Sequence, residues 1–178
     1  EIWASDGTAA GNHKLPDLHN PYFPVTVENH VFFSAADDVT MGAPFVTDGT
    51  AAGTSRLAAS LQVATGSSDI FAITTAGTHA FFAADNVIDG YSMYATDGTK
   101  SGTIELTSDT GQTKGGGCSG VSVMNDTAIF PLTDAANATV LGRSDATPAS
   151  PSIRRGINHA WTTQGPLSGT VVSGPVYF

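Results

Sequence analysis

Four aspartates recur in one setting: Asp6, Asp48, Asp97 and Asp145, the first three followed by Gly7-Thr8, Gly49-Thr50 and Gly98-Thr99. Carboxylates at fixed intervals suit acid-base work, cation binding or turn formation. Catalysis needs one asymmetric set of acid, base and stabiliser, so the same carboxylate repeated along a chain argues against an active site. A tight turn needs only that Asp bond to backbone amides beyond it and that Gly accept positive φ. This structural role is the one expected for Asp6, Gly7, Asp48, Gly49, Asp97, Gly98 and Asp145.

Asp85, Asn86 and Asp89, just before Gly90, form the densest group of oxygen donors and are the expected calcium site if the chain takes one. Calcium takes about six to eight oxygens, and no Asp-x-Asp-x-Asp-Gly spacing is present, so solvated loop carboxylates are the plainer reading. The histidines, at 13, 19, 30, 79 and 159, never occur as His-x-His or at the i, i+4 spacing of a helical zinc site. No Gly-x-Ser-x-Gly elbow accompanies the many serines. The single cysteine, Cys118, lies in a glycine run without an adjacent histidine to lower its pKa, and reads as structurally inert. Trp161 stands beside His159 and the pair Arg154-Arg155, outside any repeated pattern; these four residues are the best candidates for a specific contact with a partner.

Composition narrows the classes further. The 178 residues include 16 Asp or Glu against 7 Lys or Arg, a formal charge of −9. A phosphate backbone is neutralised by a basic stripe, which this chain lacks, so no nucleic-acid partner is expected. No apolar run approaches the ~20 residues of a transmembrane helix. Charged residues make up only 13%, with Ala, Thr, Ser and Gly in their place, a balance that suits the outside of a cell better than its interior. The chain starts at Glu1 rather than Met, which fits either a removed leader or an excised piece.

The elements that must position these residues repeat as well. Glu1-Ile2-Trp3-Ala4-Ser5-Asp6-Gly7-Thr8-Ala9-Ala10-Gly11 is echoed from Phe45 to Thr54, from Tyr94 to Thr103 and, degraded, from Gly142 to Pro148, with the aspartates 42, 49 and 48 residues apart. Each unit also holds an apolar hairpin ending in Phe33, Phe82, Phe130 or Phe178, spaced by 49, 48 and 48. From Phe33, Phe82 and Phe130 to the next motif aspartate is 15 residues each time. Two markers in fixed register define a repeat of the length found in propeller blades. Alternating Val, Phe, Ile and Thr with Asn, Asp or Gly at the reversals predicts hairpins, and two more strands flank each Asp-Gly-Thr turn. Four short strands per repeat is the content of one blade.

The predicted fold is therefore all-β, a four-bladed β-propeller in one repeat domain spanning 1–178. Its blades are about 21–60, about 66–107, about 119–155, and about 168–178 joined with 1–15. The two ends of the chain carry complementary halves of a unit, so the last blade is expected to close by pairing Val171 to Phe178 with Glu1 to Leu15. Trp3, Phe45 and Tyr94 are equivalent and are expected to pack between blades. Arg143, Ala146 and Pro148 depart from the pattern and predict a remodelled fourth turn.

The motif Glu-Ile-Trp-Ala-Ser-Asp-Gly-Thr, with a hairpin ending in Phe-Phe 15 residues before the next motif aspartate, resembles the bacterial ELWxxDGT repeat, and the resemblance covers nearly the whole chain. It implies a propeller-like array in a secreted or cell-surface protein, periplasmic or extracellular, and binding rather than a reaction. The expected function is thus a non-catalytic extracellular binding or scaffold module, engaging a protein partner or larger assembly through propeller loops, with no obligatory cofactor. A carbohydrate-binding or carbohydrate-active propeller, lectin or hydrolase, is the alternative, with a glycan as ligand. Blade-wise sugar sites would need exposed aromatics repeating on a loop, and none is seen.

Overall fold

The computed structural model describes residues 1–39, 42–57, 70–86, 90–107, 120–133, 139–147, 152–154, 170–171 and 176–177. Every regular element among them is a strand: β1 (Trp3–Ala4), β2 (His13–Lys14), β3 (His19–Val27), β4 (His30–Ala36), β5 (Ala43–Thr47) and β6 (Ser55–Arg56). There follow β7 (Phe71–Ala76), β8 (His79–Asn86), β9 (Gly90–Thr96), β10 (Ile104–Glu105), β11 (Ser122–Met124), β12 (Thr127–Thr133), β13 (Thr139–Ser144), β14 (Ser152–Arg154), β15 (Thr170–Val171) and β16 (Val176–Tyr177). None of the described residues forms a helix long and apolar enough to cross a membrane.

The strands form three four-stranded antiparallel meanders, β3-β4-β5-β6, β7-β8-β9-β10 and β11-β12-β13-β14, with a two-stranded sheet from each end of the chain, β1-β2 and β15-β16. The fold is thus all-β. In this structure the terminal pairs remain two separate sheets. The first strands of successive sheets lie side by side, β3 against β7, β7 against β11 and β11 against β15.

The hairpins between first and second strands reverse through residues held at positive φ: Glu28 at 51°, Gly77 at 55°, Asn125 at 47° and Asp126 at 59°. Both central residues of a type I′ turn have positive φ, and its twist matches the strands it joins; Asn125-Asp126 has this form. Of these three described turns, only the one in the second sheet supplies a glycine. Fixed register follows from these turns: Val27 faces His30, Ala76 faces His79 and Met124 faces Thr127.

The paired phenylalanines explain how flat sheets become one body. Successive strand residues point to opposite faces, so each pair sends one ring to each neighbour. Phe32, with Val27, Val46 and Leu57 of the first sheet, meets Ala80, Phe82, Ala84 and Tyr94 of the second. Phe81, with Ala83, Met93, Ala95 and Leu106, meets Ala128, Phe130 and Ala146 of the third. Phe32, Phe81, Phe82 and Phe130 are essentially free of solvent. Burying each such ring is worth about 1.5–3 kcal/mol. Between the first two sheets the rings of Phe32 and Phe82 lie 4.8 Å apart, and Tyr94 stacks on Phe82 at 5.4 Å and 18°. On the other face of the first sheet, Phe33 stacks on Phe45 at 6.0 Å and 23°, with Leu18, Ala35, Ala43 and the incoming Ile2.

Candidate functional site

The motif turn is built the same way wherever it occurs. Asp6 Oδ1 accepts from the Thr8 amide and the Thr8 hydroxyl, each at 2.8 Å, and the Thr8 hydroxyl in turn accepts from the Gly11 amide at 3.0 Å. Asp48 repeats this with Thr50 at 2.8 and 2.8 Å, Thr50 accepting from Gly53 at 2.9 Å. Asp97 does so with Thr99 at 2.8 and 2.7 Å, Thr99 accepting from Gly102 at 2.9 Å. The hydroxyl before the aspartate accepts from the amide after it at 3.0 Å in every copy: Ser5 from Gly7, Thr47 from Gly49, Thr96 from Gly98 and Ser144 from Ala146. Because amide and hydroxyl donors hold its charge, the carboxyl of Asp6 is lowered below the usual Asp range by Thr8, and that of Asp48 likewise by Thr50. Each aspartate therefore commits one carboxylate oxygen, Oδ1, to its own turn.

Two glycines per turn are fixed by geometry. Gly7, Gly49 and Gly98 sit at φ 86°, 90° and 90°. The later glycines, Gly11, Gly53 and Gly102, leave no room for a methyl group, since a Cβ there would overlap the carboxylates of Asp6, Asp48 and Asp97. The fourth turn departs less than its sequence suggests. Asp145 still accepts from the Thr147 amide at 3.0 Å and the Thr147 hydroxyl at 2.8 Å, and Ala146 takes φ 68° where the others have glycine. A β-carbon in the left-handed region costs about 1–2 kcal/mol. Ala146 is buried in the core between the second and third sheets, which offsets that cost.

Other equivalences escaped sequence inspection although their signal was present. Leu15, Leu57 and Leu106 each lie nine positions after a motif aspartate; all are buried. Each donates its amide to the residue before the motif aromatic or its counterpart: Leu15 to Ile2 at 3.0 Å, Leu57 to Pro44 at 2.8 Å and Leu106 to Met93 at 2.7 Å. Of the three equivalent aromatics, Phe45 and Tyr94 are buried, but Trp3 is 60% exposed because among the described residues no preceding sheet covers it. That corrects the expectation of packing between sheets for Trp3 in this structure.

Histidines tie neighbouring units together at the turns. His13 Nε2 donates to the Gly49 carbonyl at 2.6 Å, and His30 packs so close to Gly98 that a Cβ added at the glycine would lie 3.6 Å from the imidazole. No group of three His, Cys, Asp or Glu suited to a metal occurs among the described residues. Asp85 and Asn86 end β8, opposite Tyr91 and Gly90; Asp89 lies outside the described residues. Arg154 ends β14, paired with Leu141, while Arg155, His159 and Trp161 lie outside the described residues.

The meander order sorts the connections by end. Turns between first and second strands and the Asp-Gly-Thr turns between third and fourth strands share one end of each sheet. The opposite end receives the links between second and third strands and the links from one sheet to the next. Those links are residues 37–42, 87–89 and 134–138 between second and third strands, where Asp37, Asn86 and Asp134 recur four residues after Phe33, Phe82 and Phe130, and 58–69, 108–119 and 155–169 between sheets, whose sequences differ from unit to unit. Tyr22 and Phe23 on β3 lie toward this second end, since His19 pairs with Ala36 there and Val27 with His30 at the other. They are 59% and 54% exposed, with ring centroids 6.3 Å apart and planes at 44°. Phe23 has φ 54° and Asn20 φ 47°, and β3 shifts register on both sides of Tyr22. Sequence reasoning passed over this pair because its two adjacent aromatics, between Pro21 and Pro24, belong to neither the alternating hairpin nor the Asp-Gly-Thr motif. No protein-family model, curated protein or solved structure matches the chain.

Proposed function

We propose that the chain is a four-bladed β-propeller that serves as a non-catalytic binding or scaffold module of a secreted or cell-surface protein, engaging a protein partner through the end that carries its non-repeated loops. The observation that carries this reading is the segregation of turns from loops. One end is a set of near-identical turns whose carboxylates are engaged locally. The long links that differ from unit to unit leave from the other. A scaffold with constant turns on one side and variable loops on the other is how rigid folds present binding residues. Repetition of the same carboxylate in each unit supports a binding rather than a catalytic role.

Closure of the ring rests on complementarity of the two ends. β1-β2 supplies the outer pair of a unit and β15-β16 the inner pair, and β15 already continues the line of first strands through β11. In the closed ring Trp3 is covered as Tyr94 is. With Trp161→Phe, Trp3 is the sole tryptophan of the two in the chain, and closure predicts blue-shifted emission protected from acrylamide. Red-shifted, fully quenchable emission means an open stack. For the binding role, cross-linking mass spectrometry on the assembly isolated from its source is expected to place partner contacts at 37–39 and the other loops of that end. Contacts confined to the Asp-Gly-Thr turns, or hydrolysis of a polysaccharide abolished by one carboxylate substitution, overturn it.

A further inference from the structure

We infer that Tyr22 and Phe23 form the contact site for a basic, lysine- or arginine-bearing segment of a partner protein. The inference rests on the reading that the loop-bearing end is the binding end, and it names the chemistry recognised there.

The pair belongs to one unit alone. Tyr22 is paired with Ser34 as Phe71 is with Ala83, 49 residues on. The next residue is Phe23 in the first unit, Ala72 in the second and, a further 48 on, Gly120 in the third. Gly120 also has positive φ, 102°. At this position the third unit supplies a glycine just ahead of β11, which takes positive φ without strain. The first unit instead puts a phenylalanine there, at φ 54°, and leaves more than half of it in water. Backbone strain without burial gives the fold nothing in return. Retained strain at an exposed aromatic points to a contact made outside the chain.

Charge selects the partner. From Leu15 to Val39 there is no Lys or Arg, while Asp17, Glu28, Asp37 and Asp38 are present. Asp17 is taken by Lys14 at 2.6 Å. Asp37 and Asp38 follow Ala36, which lies opposite His19 at the start of the strand that bears the pair. The chain as a whole carries −9. Ring faces are electronegative and attract ammonium and guanidinium groups; the carboxylates at that end of the sheet and the net charge steer a cationic segment toward them. Two tilted rings with a Tyr hydroxyl are also the residue types that dominate protein-protein contacts.

The test measures binding of a fluorescein-labelled octalysine peptide by anisotropy, and thermal stability of the same samples. Wild type is expected to bind, less tightly as salt rises. Phe23→Gly is expected to weaken binding about tenfold while melting no lower than wild type, because the bulge is relieved as the contact is lost. Tyr22→Ala is expected to weaken binding similarly, and Asp37→Asn with Asp38→Asn to flatten the salt dependence. The inference is overturned if wild type does not bind, if both aromatic variants bind as wild type does, or if Phe23→Gly melts lower. Binding of a neutral oligosaccharide that depends on the pair overturns it in favour of a glycan. None of these outcomes bears on the loop-end reading, which the cross-linking map decides separately.

Discussion

The second sheet and the amino-terminal pair β1-β2 carry the same turn in different surroundings. Asp97-Thr99 and Asp6-Thr8 make the same bonds, to within 0.1 Å. Tyr94 is buried against its neighbour's Phe32 cluster, whereas its counterpart Trp3 is 60% exposed. The turn is therefore a local object that closes on its own hydrogen bonds, and burial of the aromatic is a property of the neighbouring sheet. Local chemistry repeats with the sequence; packing repeats only where a neighbour is present.

The strongest way to break this comparison is to remove packing from the middle sheet. Phe82→Ala leaves a cavity between two sheets and is expected to cost about 3–5 kcal/mol in urea unfolding. Trp3→Ala costs less than about 1 kcal/mol in an open stack and approaches the Tyr94→Ala value in a closed ring. Next in size, Gly102→Ala forces the new methyl against the Asp97 carboxylate. Losing the turn's hydrogen bonds is expected to cost about 2 kcal/mol, and Gly11→Ala a similar amount if the turn is truly local. Glu28→Gly goes the other way. Glu28 is exposed at φ 51° where the second unit has Gly77 at 55°, so the variant is expected to gain about 0.5–1 kcal/mol, read as a raised Tm.

The smallest effect is on pH dependence. Asp6 and Asp48 are lowered in the folded state by their Thr8 and Thr50 donors. A lowered folded pKa means that the unfolded chain binds protons first as pH falls. Their contribution is therefore fully present above the ordinary Asp value of about 3.9 and is lost as pH drops through the lower folded values. Melting scans from about pH 5 to about pH 3 are expected to show a declining Tm. Asp6→Asn and Asp48→Asn, which keep an acceptor oxygen without a titrating group, are expected to flatten that decline.

Much of this architecture was legible in residue order. The 48-residue spacing located three sheets, because a hairpin and a turn each need their own residue types at fixed separation. The turn role of Asp6, Asp48 and Asp97 was legible for the same reason. The late glycines were visible but unexplained, since their necessity comes from a carboxylate folding back over them. The fourth turn misled, because Ala146 reads as a lost glycine until the buried pocket that receives its methyl is seen. The exposed Tyr22-Phe23 pair was not legible at all, for exposure of an apolar strand residue depends on what lies across from it.

The sequence by itself determined strand length, the reversal points and the repeating turn, all of which depend on contacts within a few residues. It also determined, through the adjacent pairs Phe32-Phe33 and Phe81-Phe82 on alternate faces, that the first and second sheets each have an adhesive side toward each neighbour. Only the tertiary structure decided which of those sides is occupied. Phe45 and Tyr94 are covered while Trp3 is not, and Phe23 holds a strained bulge in solvent. Burial is a relation between segments distant along the chain, and no local pattern encodes the presence of the second member.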